Sequence, residues 1–290
     1  MMKFLCVLLQ TINILWFGHS YGVDSTEHLP KIALESGVDS LYLGRFIKGN
    51  CSLEEHYNYF LADTTGKYYE CRPGEEKFVK VPKTVREAVS ERKWDYVIFQ
   101  NSLENEGRYE TAQPYLDSLI TFVHKVQKES YGEEPVIGWN MFWPISRLRE
   151  DGSHKLCTYR LSFYNNSSDR MWAAYLYATK KLMKDSDVDI VIPTGTAVMN
   201  ARATSLNDID AKDLTRDGYH LSYDKGRYVA ACTVFEKLIS PVVGKSVLGN
   251  TYRVQVKGQP KMTDKTATIL QRCAAAAVSK PYKVSPVSER

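Results

Sequence analysis

Five short apolar runs punctuate the chain: INILWF (12–17), SLYLG (40–44), WDYVIFQ (94–100), PVIGWNMF (135–142) and VDIVIP (188–193). Unbroken apolar runs of this length suit strands covered on both faces, as in a parallel sheet. Helical periodicity fills the gaps, over 24–37, 82–93, 112–129, 168–186 and 222–239. The first of these starts with Asp24 as a helix cap and stops at Gly37. Strand–helix alternation of this kind predicts an α/β fold, a three-layer αβα sandwich around a five-stranded, mainly parallel, flavodoxin-like sheet. Residues 57–81, rich in Tyr, Phe and Val with turn signals at Thr65-Gly66 and Pro73-Gly74, interrupt the alternation and read as a β-hairpin insertion. The main domain spans 12–240. A C-terminal extension, 241–290, reads as a short strand pair over 244–261, a helix over 263–280 and a frayed last ten residues.

Charge narrows the function. The 38 basic and 34 acidic residues are interspersed, giving +4, and no basic stripe points to a nucleic-acid partner. No stretch approaches the roughly 18 apolar residues of a membrane span, so stable membrane insertion is not expected. The start, Met1-Met2-Lys3 followed by FLCVLL, resembles an export signal, yet no small-residue cleavage site precedes Gly18. Localisation therefore stays open, as does the oligomeric state. The six cysteines form no C-x-x-C and read first as buried thiols, with Cys51 and Cys71 the pair to test for a disulfide in an exported protein.

The first strand runs into Gly18-His19-Ser20-Tyr21-Gly22, a literal G-x-S-x-G. The α/β-hydrolase elbow requires several strands upstream, and only 19 residues precede Ser20, so that fold is excluded. A serine nucleophile needs a base and an orienting carboxylate. Of the histidines at 19, 28, 56, 124, 154 and 220, those at 28, 56 and 124 fall on helical patterns and His154 lies in a polar loop. His220 stands three residues after Asp217 in a turn-like stretch before the last long helical pattern. At that spacing a carboxylate reaches the imidazole.

Four blocks in order resemble the SGNH (GDSL-like) hydrolase superfamily, nearest to a bacterial branch with a Gly-Asn-Ser nucleophile block that is described as a domain of unknown function. They are Gly18-His19-Ser20, the segment from Gly49 to His56, Trp94 to Ser102, and Asp217 to Ser222 followed by Gly226-Arg227-Tyr228. The resemblance covers about residues 12 to 240. It implies Ser20 as nucleophile, His220 as base and Asp217 as its orienting carboxylate. The implied oxyanion donors are the amides of Ser20 and Gly49 and the side chain of Asn101, with Gln100 as the alternate. No metal and no cofactor is implied. Two departures stand out: His19 replaces the usual Asp or Asn, and the third block lacks Gly-x-Asn-Asp. His19 reads either as a structural residue or as a substrate contact. Trp139, Asn140 and Trp143, after the fourth apolar run, read either as a substrate-binding rim or as packing. The expected function is a serine esterase acting on short acyl esters, O-acetyl groups on a small-molecule or carbohydrate substrate. Acyl transfer and a catalytically silent carbohydrate-binding protein are the alternatives.

Overall fold

Strand β1 (Ile12–Gly18) carries Ile14, Leu15, Trp16 and Phe17, all buried although neighbouring side chains on a strand face opposite ways. Only a strand at the middle of a sheet covered on both sides can bury such a run. In the computed structural model, which describes residues 11–207 and 213–290, β1 is that strand. It pairs in parallel with β2 (Leu41–Ile47) on one side and β5 (Tyr96–Phe99) on the other. β6 (Val136–Asn140) and β7 (Ile190–Ile192) continue the parallel order beyond β5. On the opposite flank β3 (Gly66–Cys71) pairs antiparallel with β2, and β4 (Val79–Lys83) antiparallel with β3. The sheet order is β4-β3-β2-β1-β5-β6-β7. The five expected strands form its parallel core, and the expected hairpin joins the same sheet, so that it has seven strands. The residues suspected of continuing the export-signal pattern, 1–10, lie outside the described residues.

Helices α1 (Ser20–Thr26), α2 (Leu29–Glu35), α8 (Thr194–Arg202), α9 (Lys225–Val234) and α11 (Asp264–Ser279) pack together on one face, with α9 touching the other four. Helices α3 (Leu53–Ala62), α4 (Val85–Ser90) and α5 (Tyr115–Tyr131) form the other face, and α7 (Ser168–Asp185) lies beside the loop into α5. The short α6 (Lys155–Ser162) follows the loop after β6, and α10 (Ser240–Val243) follows a π-helical turn that prolongs α9. Among the described residues no helix is long and apolar enough to cross a membrane.

Four expectations need correction. The helix expected over 24–37 is two helices, because Pro30 has no amide to continue α1 and instead sits in the first turn of α2. Residues 57–62, expected in the hairpin, end α3: Ser52 and Glu55 form a capping box that commits the stretch to helix, and Leu53 and His56 are its buried face. The expected strand pair over 244–261 is irregular chain. Gln271 holds its backbone, with Oε1 accepting the Gly249 amide and Nε2 donating to the Asn250 carbonyl, while Asn250 Nδ2 donates to the Ile32 carbonyl of α2. The last ten residues are packed rather than frayed: the Ser285 amide donates to Asn200 Oδ1 on α8 at 2.7 Å. Cys51 and Cys71 are buried free thiols, as are Cys157, Cys232 and Cys273.

Candidate active site

Ser20, Gly49 and Asn101 follow β1, β2 and β5, three adjacent strands, at their carboxyl ends. β1 lies where the order of connection reverses, which is where open α/β sheets hold their ligands. The local sequence turns the chain sharply there. His19 is extended (φ −135°, ψ −159°), and its Nδ1 accepts the Tyr21 amide at 3.3 Å, capping α1. Its carbonyl accepts the amides of Gly22 and Val23. Because Nδ1 accepts, Nε2 carries the proton and donates to the Asn101 carbonyl at 2.9 Å. Burial drives the imidazole down to about 3, against the opposing pull of that carbonyl and with help from the His56 and Arg160 charges. His19 is thus a neutral clamp between the end of β1 and the end of β5.

The other half of the site is a tight turn over residues 214–222. Thr215 and Leu221 bridge antiparallel, the Arg216 amide donates to the His220 carbonyl at 2.9 Å, and the Ser222 amide to the Leu214 carbonyl at 2.7 Å. At its tip Gly218 has φ +101°, and a Cβ there would come within 2.4 Å of Arg149 Nε, so this position takes glycine on both counts. Asp217 Oδ1 accepts the amides of Tyr219 and His220 at 3.1 and 2.8 Å, and its Oδ2 lies 2.6 Å from His220 Nδ1. Partial burial favours the neutral acid, but the His220 ring and these two amides outweigh it and hold the carboxyl at about 2. On the far side of the ring, His220 Nε2 lies 2.8 Å from Ser20 Oγ. Ser20, His220 and Asp217 are therefore in one hydrogen-bonded line.

The expected oxyanion donors divide. Gly49 is exposed in a turn closed by the Cys51 amide on the Lys48 carbonyl, and a Cβ there would meet nothing, so packing does not demand glycine. Asn101 and Gln100, the two residues just past β5, meet different partners. Gln100 is fully buried: its Oε1 accepts from Trp16 Nε1 at 3.0 Å and Asn140 Nδ2 at 3.2 Å, and its side chain fills the space a Cβ would need at Gly18. Its Nε2 meets no acceptor among the described residues, and Asn101 is as deeply buried, so Gln100 stays the alternate donor. Asn101 Oδ1 accepts the amides of Ser102 and Leu53, and Nδ2 donates to Thr111 Oγ1 at 3.2 Å, leaving one amide hydrogen.

Burial favours the packing alternative for the residues read as either rim or packing. His19, Trp139, Asn140 and Trp143 are all fully buried. Trp143 stacks on Tyr21, ring centroids 4.2 Å apart, and Asn140 Oδ1 accepts from Thr194 Oγ1 at 2.8 Å. They are packing that backs the site. Sequence reasoning placed Tyr219 only within a block. Its ring lies 4.1 Å from that of His220, and the Arg160 guanidinium sits 5.0 Å from its centroid. Asp24, read as a helix cap, is instead a buried residue within α1. The signal that could have found it is its i, i+4 spacing from Ser20 once α1 starts at Ser20. Glu106 carried no sequence signal. Fully buried, its carboxyl is pushed well up by desolvation, and it accepts the Asn101 amide at 3.1 Å.

The protein is similar in structure to a DUF4886 family protein from Bacteroides uniformis ATCC 8492 solved at 1.50 Å, with 26% identity, a TM-score of 0.81, and 96% of this chain and 98% of that chain covered. More distant likenesses are a candidate SGNH hydrolase from Slackia heliotrinireducens (19% identity, TM-score 0.46, 77% of this chain and 96% of that) and an acetyl xylan esterase (15%, TM-score 0.43, 76% and 96%). No curated protein matches the chain in sequence. The family described as Domain of unknown function (DUF4886) matches residues 13–277, and the chain belongs to that family.

Proposed function

We propose that this protein is a serine esterase that removes short acyl groups, O-acetyl above all, from carbohydrate hydroxyls. The carrying observation is the line Ser20 Oγ–His220 Nε2–Asp217, at 2.8 and 2.6 Å, joining residues 200 positions apart in the chain. In this reading His220 takes the Ser20 proton as Oγ attacks the ester carbonyl. It then returns that proton to the departing alcohol, leaving an acyl-serine. Water, activated by the same imidazole, attacks the acyl-serine and releases the carboxylic acid and free Ser20. Asp217 holds Nδ1–H in place and balances the imidazolium. The developing oxyanion is met by the amides of Ser20 and Gly49 and the remaining Asn101 amide hydrogen, each donor worth roughly 3 kcal/mol.

Support for a small acyl group is the resemblance, with Tyr21, Phe142 and Trp143 buried against one another as an apolar wall behind the nucleophile. Support for a carbohydrate alcohol is the resemblance together with the half-buried, polar-tipped Tyr219 beside His220. The test is incubation with a fluorophosphonate probe and with a small aryl acetate, followed by acetate release from an acetylated polysaccharide. Modification at Ser20 with turnover is expected. A wild-type protein inert to both reagents, yet retained by the polysaccharide, would overturn the reading in favour of a carbohydrate-binding protein.

A further inference from the structure

The nucleophile and the base ride on different elements, and one buried carboxylate ties those elements together. Asp24 lies one helical turn beyond Ser20 on α1 and is fully buried. Its Oδ2 accepts the amide of Leu221, the residue after His220, at 2.9 Å. Both its oxygens accept from Arg216 Nη1, at 3.1 Å each, and Arg216 is the residue before Asp217. Oδ1 also accepts from Arg227 Nε on α9 at 2.8 Å. The same Arg216 nitrogen donates to the Leu221 carbonyl, and the Arg216 and Arg227 guanidiniums stand over the Tyr223 ring at 4.8 and 4.7 Å. Asp24 therefore grips the turn on both sides of the Asp217–His220 pair.

We infer that Asp24 is a positioning residue that fixes the register of His220 against Ser20. This rests on the esterase reading above. A buried anion with two cationic partners is strongly directional, and its partners lose their acceptor together if it is neutralised. Helix α1 alone sets where Ser20 Oγ points, and the turn alone sets where the imidazole points. Beside the Ser20–His220 bond itself, Asp24 ties the two elements through charged and backbone contacts, and an error of about 1 Å in such a relation can cost about 10²-fold in rate.

The test is Asp24→Asn, which keeps the shape and loses the charge, with Arg227→Gln as the milder variant that withdraws one partner. The first readout is the NMR resonance of the His220 Nδ1 proton, which reports the bond to Asp217 whether or not the protein turns over ester. The second is the rate of fluorophosphonate modification at Ser20. In folded Asp24→Asn the proton signal is expected to shift upfield or broaden away, and the modification rate and kcat to fall by roughly 10²-fold with KM little changed. Arg227→Gln should show the same pattern at about a tenth of that size. A folded variant with the resonance unchanged overturns the inference, and so does a loss of folding in both variants, which would make the cluster a stability element only. Failure of the esterase reading looks different: wild type then shows the His220 resonance and its Asp24 dependence but neither labels nor turns over.

Discussion

His19 Nε2 donates to the Asn101 carbonyl at 2.9 Å, so the residue before the candidate nucleophile is bound to the loop that leaves the neighbouring strand. The side chain has two obligations, one at each ring nitrogen. Nδ1 caps α1 through the Tyr21 amide, and Nε2 fixes the spacing between Ser20 and the Asn101 block. An Asn or Asp could meet the first obligation but is too short to meet both.

His19→Asn should therefore keep the cap and lose the strand link, while His19→Ala loses both and opens a cavity. The Ala variant is expected to be less stable than the Asn variant by about 1–2 kcal/mol, the worth of a helix cap. Both should fall below wild type in urea unfolding. Equal midpoints for the two variants would remove the capping role.

Acid should find the buried histidines. His56 lies edge-on against Phe17 and Phe46, and burial lowers it to about 4, as it lowers His19 to about 3. In the unfolded chain both ionise near the ordinary 6.5. Above pH 6.5 both states hold the rings neutral and the full stability is present. Below it the unfolded chain takes up protons that the native protein refuses, so stability falls as pH falls toward the folded values. The slope is about 1.4 kcal/mol per pH unit for each histidine. Urea midpoints between pH 7 and 4.5 should show it, and His56→Phe should remove His56's own share of the slope. Parallel curves for wild type and His56→Phe would contradict the assignment.

What could be read from the sequence follows from how local the signal is. The five core strands were legible because two-sided burial leaves unbroken apolar runs such as Ile14 to Phe17. The line Ser20–His220–Asp217 was legible because Asp217 and His220 share one turn, Ser20 follows the first strand, and the blocks that hold them resemble one family. The sequence left Trp139 and Trp143 open between rim and packing because they carry the same letters whether they face a sugar or Tyr21. Only the packing of β6 against the helices decides between those. Asp24 was misassigned for a related reason: its i, i+4 spacing from Ser20 puts it on the face of Ser20, but its partners Leu221, Arg216 and Arg227 lie about 200 residues away and leave no local trace.

Turnover should depend on the three aligned residues in a graded way. Ser20 is partly exposed, and its hydroxyl faces His220, so Ser20→Ala should abolish aryl acetate turnover, by roughly 10⁴-fold or more, with the melting temperature nearly unchanged. His220→Ala should match it. Asp217→Asn should lose less rate, since the base survives, and should keep the turn, because the Asn Oδ1 can still accept the two backbone amides that Asp217 Oδ1 accepts. Full activity in Ser20→Ala would end the mechanism.

Asn101 and Gln100 separate rate from stability. Gln100 accepts from Trp16 and Asn140 and packs under Gly18 and Gly22, so Gln100→Ala should destabilise by about 2–4 kcal/mol through lost packing and stranded donors. Its kcat at a temperature where it stays folded should change little. Asn101→Ala also loses stability, because the amides of Leu53 and Ser102 lose their acceptor, but its distinguishing loss is in kcat. A donor that strengthens its bond only as the oxyanion forms lowers kcat by roughly 10²-fold when removed and leaves KM in place. Thr111→Val is the control: it frees Asn101 Nδ2 from its present acceptor without touching the proposed oxyanion contact, so kcat should be nearly kept. If Thr111→Val and Asn101→Ala lose rate equally, the amide acts by bracing the loop after β5, and the oxyanion is held by the Ser20 and Gly49 amides alone.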